Sequence, residues 1–328
     1  MDFRSETRKQ HFLSQVEQRF NSINPNADKD KQRIYSFSLK NRDSYMVTMD
    51  SKKGINISNN LQILHLFSFD ILEECIYRDN FENLFESYES SIKGNTNSLI
   101  AKLEDSESDI QSEIINIFRS KILNSIRNPY SIEKNLNTFS DIKGLYPTDD
   151  MHCKSFNRVL EGKNPQQNYI CKILGITEKN YRDWLAALFM LLNPMEEEKV
   201  NFLDKVIIRI FENPNLYTRV YIYTYDEKSC LLSDRGFNLY EEDNNMIWEF
   251  NLCSNIFVSY CFTDIENSDL NIEEEVLNYL KIKPKEVSLA IRNNDLRALE
   301  KYNKRTVSFC HEHVFGASKE YEGITLHL

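Results

Sequence analysis

Apolar and polar side chains alternate over residues 33–39 and again over 45–49, on either side of the polar run Lys40-Asn41-Arg42-Asp43. A period of two flanking a polar turn predicts a β-hairpin. The period then lengthens. Over 81–103 and 109–126 apolar residues return every three or four positions, as at Ile110, Ile114, Ile117, Phe118 and Ile122, which predicts two amphipathic helices. Asn128-Pro129 stops the second. Further helices are predicted over 154–160, 168–174, 178–192 and 196–212, punctuated by Asn193-Pro194 and Asn213-Pro214, with a loop over 141–147. After Pro214 the alternation returns over 216–225, 229–232, 246–250 and 255–262, in segments rich in Tyr, Ile, Val and Phe. Helices over 272–280 and 285–302 and a last strand over 306–314 complete the chain. The predicted class is α+β, a helix-rich centre with a small antiparallel sheet formed by the N-terminal hairpin and the C-terminal strands. With no internal repeat and no long linker, one domain over 1–328 is expected, or else a subdivision into 1–147 and 148–328.

Composition narrows the function classes. A chain of 328 residues that is 41% hydrophobic and 12% aromatic buries a sizeable core and is neither disordered nor fibrous. Its eight glycines contain neither GxGxxG nor GxxxxGK[ST], which argues against the glycine-rich nucleotide-binding folds. The seven cysteines are odd in number, scattered and free of any CxxC pair, so free thiols in a reducing, cytoplasmic setting are expected. The first residues carry no apolar leader, and the longest apolar run, 184–192, is about half of the roughly 20 residues needed to span a bilayer. No membrane partner is expected. The net charge of -10 is uneven: residues 1–60 carry +4, residues 281–328 carry +3, and the middle is strongly acidic. Basic ends suit a phosphate-bearing partner such as nucleic acid, and the acidic middle offers a surface to a protein partner.

Five groups of residues carry candidate chemistry. Cys310-His311-Glu312-His313 is the densest set of metal-capable side chains. Two ligands are identifiable there, where zinc needs three or four. Arg305 and His311 fit a loose Arg-x-His spacing of small helical ribonucleases, although the intervening residues are β-forming. His11 lies beside Arg8 and Lys9, where an imidazole can serve as acid or base near a phosphate. Ser233-Asp234 closes a strand before Arg235-Gly236, a place for an active-site carboxylate and equally for a turn aspartate. Glu82 and Glu89 stand seven apart on a predicted helix, about 10 Å along its axis, which makes them a surface face rather than a close dyad.

Taken in order, His11-Phe12-Leu13-Ser14-Gln15, the Tyr-containing hairpin, Glu82 with Glu89, Arg127-Asn128-Pro129, Leu232-Ser233-Asp234 and the late Asn293-Asn294 resemble a bacterial family catalogued as domain of unknown function 4238. That family opens with a His-Tyr-Val-Pro-x-Phe-Tyr-Leu-like signature. Here Phe12 stands for its Tyr, Ser14 for its Pro, and Arg235-Gly236 for an Asn-Pro. The resemblance implies a role in antiphage defence of the abortive-infection type.

Two functions follow as expectations. In the first, the chain is a defence effector, a nuclease acting on RNA or DNA. His11 and Asp234 are its catalytic pair, Lys9, Gln15, Arg127 and Ser233 bind the substrate, and a divalent metal ion is the cofactor this chemistry admits. In the second, the chain is a non-enzymatic sensor or scaffold whose polar residues are buried and mutually satisfied. Exposure of those side chains separates the two.

Overall fold

The computed structural model describes residues 3–71, 78–105, 109–139, 142, 145–194, 200–265 and 287–327. Its elements run in chain order as β1 (Lys9–His11), α1 (Gln15–Arg19), β2 (Arg33–Asn41), β3 (Met46–Met49), β4 (Ile55–Asn56), β5 (Gln62–Leu64), β6 (Ser68–Ile71) and β7 (Arg78–Asn80). Then follow the helices α2 (Glu82–Glu104), α3 (Gln111–Arg127), α4 (Ile132–Thr138), α5 (Asp150–Glu161), α6 (Gln167–Leu174), α7 (Glu178–Leu192) and α8 (Phe202–Glu212). The last part holds β8 (Leu216–Thr224), β9 (Leu232–Ser233), β10 (Asn238–Glu242), β11 (Asn245–Cys253), β12 (Ile256–Asp264), β13 (Ser288–Asn293), α9 (Leu296–Phe309), β14 (His313–Gly316) and β15 (Thr325–Leu326). The class is α+β. The chain sorts into two compact units of three segments each, Met1–Leu13, Leu61–Gly94 and Phe118–Ile207 against Ser14–Asn60, Asn95–Ile117 and Ile208–Leu328. No boundary between them falls at 147/148.

The first unit gathers α4 to α7 and the short ribbons β1–β5 and β6–β7. Its centre is aromatic. Phe67 meets Phe85 edge-on at 4.8 Å between ring centres, Phe3 stacks on Phe189 at 5.6 Å, and Phe69 and Phe81 close the group at 5.2 Å. Trp184 is fully buried and donates its indole N–H to the Ile126 carbonyl at 2.8 Å, which satisfies the one polar atom so large a ring brings into a core.

The second unit holds two sheets. One has the order β15-β3-β2-β14-β9, with β4 also on β2; the other has the order β10-β11-β12-β8-β13. Strands from the two ends of the chain thus share a sheet. It is mixed rather than purely antiparallel, because β15 runs parallel to β3, as β13 does to β8 in the other sheet. Helix α9 serves both cores. Leu299 and Tyr302 pack with Tyr225, Cys230 and Phe257, while Val307 and the following Cys310 pack with Phe37, Leu231 and Val314. Tyr302 lies flat on Phe257 at 4.0 Å.

The hairpin, the two long helices, α6, α7 and the strands expected over 216–225, 246–250 and 255–262 lie where the pattern put them, whereas the strand expected over 229–232 is confined to Leu232–Ser233. Residues 306–309 do not. They continue α9, and the strand begins only at His313. Thr306 and Val307 are β-formers, but both are buried on the apolar face begun by Leu299 and Tyr302, so tertiary packing overrides propensity. The helix expected over 285–302 begins as the strand β13; the helix expected over 272–280 lies outside the described residues.

Glu249 on β11 is 2% exposed. It accepts from Arg305 Nε at 3.0 Å and also from Arg305 Nη2, with Asn238 Nδ2 at 3.2 Å and the Tyr240 hydroxyl at 3.1 Å completing its shell. Arg305→Ala strands that carboxylate and should cost about 3 kcal/mol in chemical denaturation. The double change Arg305→Leu with Glu249→Leu should recover most of the loss.

Candidate functional site

In β1 the side chains alternate, so Lys9 is exposed, Gln10 buried and His11 half-buried. Gln10 is a structural residue. Its Oε1 accepts from the Phe67 amide at 2.5 Å and its Nε2 donates to Ser68 Oγ at 3.0 Å. His11 sits opposite Gln62 in the β1–β5 ladder. Ser14 caps α1, its hydroxyl accepting from the Glu17 amide at 3.2 Å and donating to Glu17 Oε2 at 3.1 Å, a reciprocal pairing close to a capping box. Gln15 opens that helix and accepts from Arg19 Nη2. Much of the opening signature is therefore explained by turn and cap geometry.

Asp234 lies in the second unit, directly after β9, while His11 and Lys9 lie in the first. Asp234 is 1% exposed. Its Oδ1 accepts from the His311 amide at 2.7 Å, and its Oδ2 accepts from the amides of Glu312 at 2.7 Å and His313 at 2.9 Å. The Asp234 amide in turn donates to the His313 carbonyl at 3.1 Å. Ser233 is buried, and its hydroxyl accepts from the Gly236 amide at 3.2 Å, closing a turn that Gly236 completes at φ +77. Both carboxylate oxygens of Asp234 are thus occupied by backbone.

Arg127 ends α3 with no exposed side-chain surface. It donates to Glu89 Oε1 at 2.8 Å, and its guanidinium lies 5.2 Å from the Phe85 ring centre. Glu82 stands near this pair. Burial, and then the charge of Glu89, push its carboxyl up to about 7, with Arg127 pulling part of the way back. Read from sequence as a solvent-facing pair, Glu82 and Glu89 instead border a buried cation, a placement that single-chain periodicity does not encode.

A cavity of about 300 Å³ in the first unit is lined by Leu84, Ser87, Tyr88, Ser91, Arg119, Ser120, Leu192, Pro194, Asn201 and Asp204. None of the residues taken from the family resemblance lines it. Asp204, 4% exposed, is held side-on by Arg119 through Nε at 2.6 Å and through Nη2. It also accepts from the Tyr88 hydroxyl at 3.1 Å, which itself accepts from Asn201 Nδ2 at 2.7 Å. Burial and the Asp204 charge hold the Tyr88 phenol well above its ordinary value, so it stays a neutral donor. Ser120 donates to Ser91 at 2.9 Å. The wall is electrically balanced and dense in hydrogen-bonding groups.

Among the described residues no group of three or more His, Cys, Asp or Glu stands close enough to hold a metal ion. Of the late cluster, His313 Nε2 lies 3.3 Å from Ser38 Oγ and Cys310 is buried. Arg305 is committed to Glu249 rather than to His311. The six described cysteines are free thiols, and no helix among the described residues is long and apolar enough to cross a membrane. Comparison with family models, with curated proteins and with solved structures gives no match, so no relative lends support to the resemblance or to an activity.

The Glu82 environment makes a pH prediction. A carboxyl raised to about 7 when folded binds its proton more tightly in the fold than in the unfolded chain. Its contribution to stability is complete below pH of about 4.5 and is lost as pH rises through about 7. Glu82→Gln should therefore raise Tm at pH 8, by the equivalent of about 1–3 kcal/mol, and leave it unchanged at pH 4. A Tm series across pH for both proteins checks this.

Proposed function

We propose that this chain acts by binding, as a sensor component of a bacterial defence system, and that the cavity beside Tyr88, Arg119 and Asp204 receives its ligand. One observation carries the reading: Asp234, the acid of the expected catalytic pair, is buried and spends both oxygens on three backbone amides. An acid or base must be within reach of a substrate proton, and a carboxylate buried this deeply, with three of its roughly four acceptor positions given to backbone amides, is shielded from one. Arg127, expected to steady a phosphate, is likewise buried and paired with Glu89. Burial of Ser233, Asp234 and Arg127 is what the sensor or scaffold alternative requires, while Lys9 is exposed and His11 and Gln15 are half-buried. The defence context rests on the family resemblance alone.

The cavity suits a small polar molecule. Its one ion pair is internally neutralised, so it offers little net charge to an ion, while the Ser hydroxyls, the phenol and the Asn201 amide match a ligand rich in hydroxyl or amide groups.

Phage-plating efficiency and Tm, measured together, test this. His11→Ala should keep both protection and Tm. Asp234→Asn places an amide N–H₂ against backbone donors, and should lower Tm by several degrees with protection lost only as the folded fraction falls. Ser87→Trp fills the cavity from an exposed position and should abolish protection at unchanged Tm. A His11→Ala protein with wild-type Tm and no protection would overturn the reading in favour of the nuclease.

A further inference from the structure

Alternation along β8 sends its side chains to two faces of the sheet. Thr218, Val220 and Ile222 are buried on one, which packs on helices: the Tyr260 hydroxyl on β12 donates to the Ile114 carbonyl of α3 at 2.8 Å, and Phe262 meets Phe211 of α8 edge-on at 5.8 Å. The other face carries Tyr217, Arg219, Tyr221 and Tyr223. Helix α9 crosses it at Phe257, Glu249 and Tyr240, through Tyr302, Arg305 and Phe309. The β8–β13 side of the face is furnished differently. Arg219 and Arg292 are exposed there, and Tyr217 and Tyr221 are half-buried.

Contacts order these groups into a row. Arg219 Nη1 donates to the Tyr221 hydroxyl at 3.2 Å, the guanidinium lies 5.5 Å from the Tyr217 ring centre, and the Tyr221 and Tyr223 ring centres are 6.2 Å apart. Tyr223 in turn stacks on Phe257 at 4.5 Å, which ties the row to the core. In β13, Ser288 stands opposite Arg219 and Arg292 opposite Tyr223, so the two arginines are set about 13 Å apart along the strands.

Charge singles this row out. Arg119, Arg127 and Arg305 are each held by a carboxylate; among the described residues Arg219 and Arg292 are held by none. Arg219 donates instead to a phenol oxygen, and a phenol that accepts keeps its own O–H to give. Guanidiniums, a phenol donor and ring faces are thus offered together.

We propose that the β8–β13 side of this sheet binds single-stranded nucleic acid, with phosphates on Arg219 and Arg292 and bases against the Tyr221 and Tyr217 rings. Two cations set so far apart match successive phosphates of a chain rather than one phosphoryl group. Bases reach tyrosine rings only where they are not stacked within a duplex. An acidic peptide would satisfy the guanidiniums and leave the rings idle. The surface lies in the second unit and uses no residue of the cavity lining, so it stands or falls apart from the sensor reading.

The test is fluorescence anisotropy of labelled oligo-U, oligo-dT, a duplex of the same length and an acidic peptide, each titrated with the full chain at low salt. Either single strand should bind, and the duplex and the peptide should bind about ten-fold more weakly. Arg292→Ala, at an exposed position, should leave Tm unchanged and lower the slope of log K against log salt by about 0.7. Tyr221→Leu should weaken binding about ten-fold, and Tyr221→Phe, which keeps the ring, should stay within about two-fold of wild type. Absence of single-strand binding up to about 100 μM protein overturns the proposal, as does binding that neither Arg292→Ala nor Tyr221→Leu weakens. Equal binding of the duplex, or tighter binding of the peptide, overturns it too and points to a surface that reads charge alone.

Discussion

The second unit depends on a single carboxylate. Three successive backbone amides, His311 to His313, converge on Asp234, where the chain leaves α9 and must turn into β14. The opposite polarity is met by Arg42, whose guanidinium donates to the carbonyls of Ser308, Cys310 and His311. Helix ends leave carbonyls without partners, and a cation at the C-terminus answers both the hydrogen bonds and the dipole. One acid and one base thus fix a six-residue bend. Because β14 lies between β2 and β9, misplacing the bend would unpair the N-terminal hairpin from the rest of its sheet.

The same bend limits what the local pattern reveals. Helices α2 and α3 are legible because each buries one stripe over many turns, and the β2–β3 hairpin because two alternating runs flank a polar turn. Residues 306–314 are not. A helix that ends in β-branched residues and a strand that follows within four positions read as one β-segment, and only the contacts of Val307, Cys310 and Val314 within one core distinguish them. The interleaved units escape detection for a similar reason. Each is defined by contacts between distant segments, while linkers and composition shifts, the usual boundary signs, do not occur at the crossings.

The candidate site was legible in residue type and not in role. His, Gln, Asp and Arg recur in active sites because they bond strongly and directionally, which is equally why they serve as caps, clamps and buried pairs. Ser14, Ser233, Asp234 and Arg127 all take the second use. Glu82 and the Tyr88–Arg119–Asp204 group lay outside the motif, and no spacing marks them, since their environment is made by burial against other helices. Exposure and prior commitment of the lone pairs are what separate the two uses, and neither is written in a motif.

Satisfaction is itself informative about where function sits. Gln10, Asp204, Asp234 and Glu249 are buried polar groups whose partners are close and several, so they account for themselves as structure. His65 is a contrasting case: its left-handed backbone at φ +59 is one that His adopts readily, but its buried ring Nδ1 has no hydrogen-bond partner. It does not stand alone in this, because Gln32 Oε1, Thr96 Oγ1 and Asn193 Oδ1 are likewise buried without a hydrogen-bond partner. One unpaired buried atom therefore does not mark a binding site by itself, whereas a carboxylate with several close partners does mark a structural one.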